Sequence, residues 1–157
     1  MDRLPTDIRS KHDTRLNGRP GAARGRNALR ERSEAGRAIT AGIEAGADIL
    51  DGGPGDDLLS PDDGADTLLG GGGHDTLYGA VGVAGLVGGP GNDVFVLPEP
   101  LSGVTGGLGS DWVDFSSADD GVTFALSEFP GVENAIGSGF DDAITGTAGR
   151  NALFGGL

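Results

Sequence analysis

From Ile43 to Val96 the chain writes one nine-residue pattern six times without losing register. The blocks are IEAGADILD, GGPGDDLLS, PDDGADTLL, GGGGHDTLY, GAVGVAGLV and GGPGNDVFV. Their fourth residue is always glycine: Gly46, Gly55, Gly64, Gly73, Gly82 and Gly91. The sixth is aspartate at Asp48, Asp57, Asp66, Asp75 and Asp93, with Ala84 the exception, and the eighth is large and apolar, from Leu50, Leu59, Leu68, Leu77 and Leu86 to Phe95. A period this strict means repeating structure, because a nine-residue unit can bury its apolar face only by stacking on its neighbours.

Glycines at positions one, two and four allow tight turns and positive φ, so the first half of each block is expected to be a loop. The last three residues form a very short strand whose middle side chain points inward while its neighbours point out. Successive loops then alternate between two edges of a coil, and blocks eighteen residues apart lie one above the other. That stacking brings the loop aspartates of successive turns together, where bare carboxylates repel. A hard divalent cation suits such a gap, since calcium takes about six to eight oxygen ligands from carboxylates and carbonyls in flexible geometry. Gly53, Gly55, Gly71, Gly73, Gly89 and Gly91 are the expected carbonyl donors. Magnesium, which demands a tight octahedron and keeps its waters, fits a carbonyl-rich cage less well.

Sorting the blocks by parity separates two edges. One carries GGPGDD, GGGGHD, GGPGND and, still in frame, GGLGSD from Gly106 to Asp111. The other carries IEAGAD, PDDGAD, GAVGVA and LPEPLS, and decays along the chain. Cation sites are therefore expected between Asp57 and Asp75, Asp75 and Asp93, and Asp93 and Asp111, with a weaker one between Asp48 and Asp66 where Ala84 ends the ladder.

These blocks resemble the GGxGxDxUx nonapeptide of the repeat-in-toxin (RTX) family, with full matches at 52–60, 70–78 and 88–96 in one frame. The likeness is strong over 43–96 and looser over 106–157. It implies an all-β fold, a right-handed parallel β-roll (a β-solenoid) with calcium held between turns. It also implies an extracellular or cell-surface protein, exported from bacteria through a type I secretion apparatus.

Outside the repeats, residues 1–42 read as a disordered basic lead-in. Residues 1–37 hold ten of the eleven Lys and Arg against five acids, net +5, whereas 38–157 hold nineteen acids and Arg150, net −18. An acidic body of this size favours cations over nucleic acid, and no aromatic residues interleave the basic ones for base stacking. A short helix is an expectation over 27–37; no apolar run resembles a secretory signal core or a membrane span. With 43–114 as the calcium-bearing roll, 115–157 reads as a degenerate, truncated continuation. LPEPLSGVT (97–105) is expected to be a loop in place of one half-turn, its Pro98 and Pro100 lacking strand donors. Trp112 is expected on the outer face, Gly121–Leu126 as a longer strand, and 137 and 146 as starts of blocks in which Phe140 replaces the loop glycine and Asn151 the aspartate. The sequence stops inside a repeat at Leu157, so a fragment or a truncated reading frame is anticipated, with an uncapped, aggregation-prone solenoid end.

Catalytic chemistry finds no footing. HExxH, G-x-S-x-G and G-x-x-x-x-G-K-[ST] are absent, no lysine follows Lys11, and there is no cysteine for a disulfide or thiolate site. His74 occupies a loop position expected to tolerate any residue, and pairs such as Asp56-Asp57 are loop composition. The expected function is a non-catalytic module that folds on binding extracellular calcium. Two others stand beside it: the accessory region of a larger exported enzyme or toxin, and an adhesive repeat that self-associates through the bare edge at Val81, Val83 and Ala84.

Overall fold

The computed structural model describes residues 28–29, 38–40, 46–61 and 64–156. Two parallel sheets face each other. The first contains β1 (Ala28–Leu29), β3 (Ile49–Pro54), β5 (Thr67–Gly72), β7 (Gly85–Pro90) and β9 (Val104–Leu108), hydrogen-bonded in that order. The second runs through β2 (Ala38–Thr40), β4 (Leu58–Ser60), β6 (Thr76–Tyr78), β8 (Val94–Val96), β10 (Trp112–Asp114), β12 (Asn134–Ile136) and β14 (Leu153–Phe154). Chain order alternates between the sheets, so each pair of strands completes one coil of a β-solenoid.

The register carries the period directly. Leu50 pairs with Leu68, Leu68 with Leu86 and Leu86 with Val104, while Leu59 pairs with Leu77, Leu77 with Phe95 and Phe95 with Val113. Each step is eighteen residues. All eight side chains are at most 2% exposed and fill the space between the sheets. Strands of three residues suffice because only the middle side chain must be buried, and parallel stacking satisfies their backbone groups turn by turn.

Several expectations need amending. Pairing does not stop at the third strand residue on the intact edge: Gly53 pairs with Gly71 and Pro54 with Gly72, so half of each glycine-rich loop is a continuation of the strand. Two strands, β1 and β2, fall within the expected lead-in, and at Ala28–Leu29 the chain is strand rather than helix. The rest of that helix and of the lead-in lies outside the described residues. The LPEPLSGVT segment runs without strand from 97 to 103 and re-enters the ladder at Val104, keeping register.

Beyond Asp114 the expected longer strand is only β11 (Thr123–Ala125), followed by a 3-10 turn at Leu126–Glu128. β11 pairs with β13 (Ala143–Thr145) as a separate two-stranded sheet. Phe115, Phe124 and Phe129 pack together, with ring centroids 4.7 Å apart for Phe115 and Phe124 and 5.5 Å for Phe124 and Phe129. This aromatic cluster continues the leucine column and explains why the period lapses: three large rings need more chain than one nonapeptide supplies.

Candidate metal centre

The intact edge places its aspartates in a column. The Asp57 N–H donates to Asp75 Oδ1 (2.8 Å), the Asp75 N–H to Asp93 Oδ1 (2.9 Å) and the Asp93 N–H to Asp111 Oδ1 (2.8 Å). The carbonyls of Asp57, Asp75 and Asp93 in turn accept the N–H groups of Thr76, Val94 and Trp112. Neither carboxylate oxygen of Asp57 has a partner, whereas Asp75, Asp93 and Asp111 are thus each held at one carboxylate oxygen.

The other oxygen is not. Oδ2 of Asp57, Asp75, Asp93 and Asp111 is buried without a hydrogen-bond partner, although no Asp in this column is more than 3% exposed. A Cβ added at Gly70 would meet Asp75 Oδ2 at 2.5 Å and the Gly88 carbonyl oxygen at 2.7 Å. The same cradle recurs at Gly52, faced by Asp57 Oδ2 and the Gly70 carbonyl, and at Gly88, faced by Asp93 Oδ2 and the Gly106 carbonyl. Glycine at position one keeps a space open into which a carboxylate and a carbonyl of the next turn both point.

Burial is the main cause of the electrostatic cost. It pushes Asp75 up to about 6, with the charges of Asp93, Asp57 and Asp56 adding to it against the Asp57 N–H. Asp111 likewise rises to about 6, through burial and then the charges of Asp93 and Glu133, opposed by the Asp93 N–H. Asp93 is raised for the same chief reason. Relief from the protein is scarce, since no Lys or Arg occurs between Arg37 and Arg150. Buried carboxylates in this state call for a counter-charge.

Among the described residues no three His, Cys, Asp or Glu side chains converge on one point. An ion here would take a minority of its ligands from carboxylates and the rest from main-chain carbonyls, an oxygen-only set that fits a hard divalent cation. The carbonyls that face the unpartnered carboxylate oxygens are those of Gly70, Gly88 and Gly106, position-one residues that sequence reasoning passed over. Gly53, Gly55, Gly71, Gly73, Gly89 and Gly91 all have positive φ, and their carbonyls lie against the glycine one turn further along, as Gly53 O does against Gly71.

A second column, at position five, was also missed. The His74 N–H donates to Asp56 Oδ1 (2.7 Å), the Asn92 N–H to His74 Nδ1 (2.9 Å) and the Ser110 N–H to Asn92 Oδ1 (2.9 Å). His74 is therefore not at an indifferent position: its Nδ1 is an acceptor in a ladder of exposed side chains. The signal was present as an acceptor atom in every block of the intact edge, although Asp56, His74, Asn92 and Ser110 share no residue type.

On the opposite edge the Asp48 N–H donates to Asp66 Oδ1 (2.9 Å), and both residues are buried. Ala84 offers no carboxylate to the Asp66 N–H, so the ladder ends there, and the Ala84 N–H donates to the Asp66 main-chain carbonyl (2.7 Å). Further on, Asp142 satisfies itself: Oδ1 accepts from the Val122 N–H and the Ser138 hydroxyl, and Oδ2 from the Ser138 N–H at 2.9 Å. These bonds, led by that from Val122, hold Asp142 below the usual carboxylate range. In the block from 146, the Thr147 N–H similarly reaches Asn151 Oδ1 at 2.8 Å. Where position two is Ser or Thr, its N–H occupies the oxygen that Gly53, Gly71 and Gly89 leave open.

A family model described as the RTX calcium-binding nonapeptide repeat (4 copies) matches residues 44–68, 62–84 and 130–157. The chain carries RTX calcium-binding nonapeptide repeats. The matched stretches include Asp48, Asp57, Asp66 and Asp75 of the two aspartate ladders, and the self-satisfied turn at Asp142. Neither a curated protein nor a solved structure matches the chain. Among the described residues no helix is long and apolar enough to cross a membrane.

Proposed function

We propose that this RTX chain is a non-catalytic calcium module that acts outside the cell, folding into its roll when it meets the ion. The observation that carries the reading is the column of buried, unpartnered Oδ2 atoms at Asp57, Asp75, Asp93 and Asp111, each pointing into a space that a neighbouring carbonyl shares. Bound calcium would supply the missing positive charge. Asp57, Asp75, Asp93 and Asp111, with the glycine carbonyls of the same edge, would hold it between turns, and Asp48 with Asp66 would form a weaker site.

Export through a type I apparatus accords with this chemistry: a chain kept loose by carboxylate repulsion at low intracellular calcium would gain order only where calcium is abundant. The test combines calorimetric titration of calcium with circular dichroism. Strand content should be low in EDTA and rise as calcium is taken up. Full strand content in chelator with no calcium uptake would sink the reading.

One observation favours self-association as a second property. Val81 on the bare edge is 76% exposed, while Val83 beside it packs partly against the core. Calcium-dependent oligomers in sedimentation velocity would support that property, and a monomer at every calcium level would remove it.

A further inference from the structure

We infer that the ladder has a further cation step, between Asp111 and Glu133, built where the nonapeptide pattern has already broken. The inference rests on the calcium reading above and adds a site the repeat does not predict. Eighteen residues beyond Asp111 the pattern would need a carboxylate at 129, but the residue is Phe129, buried in the aromatic cluster. The chain takes four residues more before rejoining the sheet, so that Trp112 pairs with Asn134. Because Asp111 immediately precedes Trp112 and Glu133 immediately precedes Asn134, Glu133 arrives at the register position of the missing aspartate.

Its contacts reproduce those of the repeat. The Asp111 N–H donates to Glu133 Oε2 at 3.0 Å, as the Asp57 N–H does to Asp75 Oδ1. A Cβ at Gly106 would meet Asp111 Oδ2 at 2.5 Å and would overlap the Gly131 carbonyl oxygen, which takes the part that Gly88 plays for Asp75. The Gly106 N–H fixes that stretch by donating to the Pro130 carbonyl (2.9 Å), and Asn134 Nδ2 donates to the Asp111 carbonyl (3.0 Å) from above. Asp111 itself is 0% exposed and its Oδ2 has no partner. A fully buried carboxylate oxygen, a carbonyl aimed at the same space and a second carboxylate across the step are the donor set of a hard divalent cation of the calcium type.

Calorimetric titration of calcium into the full chain at neutral pH, with wild type, Glu133→Gln and Glu133→Ala, tests this. Glutamine keeps an oxygen for the Asp111 N–H but removes the charge, so a merely structural Glu133 would leave ion uptake unchanged in that variant. The expected result is one ion fewer per chain in both variants, with the remaining steps still filled. Uptake by Glu133→Gln equal to wild type in number and affinity overturns the inference while leaving the calcium function intact; a wild type that takes up no calcium overturns the function itself. Should Glu133→Gln lack wild-type strand content in saturating calcium, a crystal structure of the wild-type chain grown in calcium decides instead. An ion between Asp111 and Glu133 supports the site, and ions at the lower steps with none there removes it.

Discussion

Asp75 is held by its neighbours at one oxygen and left bare at the other, and its protonation equilibrium records the imbalance. Its folded-state value of about 6, like that of Asp111, stands above the ordinary 3.8 chiefly because burial disfavours the charge. A raised carboxylate binds its proton more tightly in the folded chain than in the unfolded one, so the metal-free roll is favoured by acid. That contribution is complete below about 3.8 and is lost as pH rises through about 6. In EDTA, strand content measured by circular dichroism should therefore be greater at pH 5 than at pH 7.5, and Asp75→Asn should reduce the difference without removing it, since Asp111 and Asp93 are raised as well. Strand content that falls on acidification to pH 5 would refute the assignment of these carboxylates as the uncompensated ones. Asp142 runs the other way, because its lowered value means that its contribution is present at neutral pH and lost only in stronger acid.

Within one loop the glycines are not equivalent, and the paired strands show why. Gly71 has φ +109° and a Cβ there would overlap the Gly53 carbonyl oxygen, whereas a Cβ at Gly72 meets nothing within 4 Å. An L-residue in a left-handed conformation costs about 1–2 kcal/mol before any overlap is counted. Gly71→Ala should thus lose about 2 kcal/mol or more in saturating calcium, measured by urea unfolding, while Gly72→Ala should stay within about 0.5 kcal/mol of wild type. Equal losses would mean that turn-to-turn contact does not set the glycine requirement. The elements divide in the same way by how far the sequence discloses them. Apart from Val104, which was expected in a loop, the inward column from Leu50 to Val113 could be read directly, because one apolar side chain flanked by outward neighbours at a fixed interval has a single place to go. The intact and decaying edges were equally legible from Asp57, Asp75, Asp93 and Asp111 against Ala84. The Phe115, Phe124 and Phe129 cluster was not, since tertiary packing sets its spacing and no period announces it. The position-five ladder stayed hidden because hydrogen bonding selects an acceptor atom that aspartate, histidine and asparagine can all provide.

At the scale of the molecule, each turn touches only the turns next to it, so stability is close to a sum of intrinsic terms and nearest-neighbour couplings. On the intact edge every interior aspartate belongs to two couplings: Asp75 gives its N–H to Asp93 and accepts that of Asp57. Asp48 belongs to a ladder that stops one step later, where Ala84 has no carboxylate to accept. Calcium shared along the intact column would make folding cooperative in the ion, and a break in the middle would leave two shorter ladders that fold at higher calcium and less steeply. Asp75→Ala should accordingly move the calcium midpoint of the strand signal upward by a large factor, about tenfold for each 1.4 kcal/mol of coupling lost, and lower the steepness of the transition. Asp48→Ala should shift the midpoint only slightly and leave the steepness as it is. The two titrations, followed by circular dichroism under the same buffer, separate a solenoid organised by one calcium-bearing edge from one in which both edges contribute alike, since the latter predicts equal displacement for the two variants.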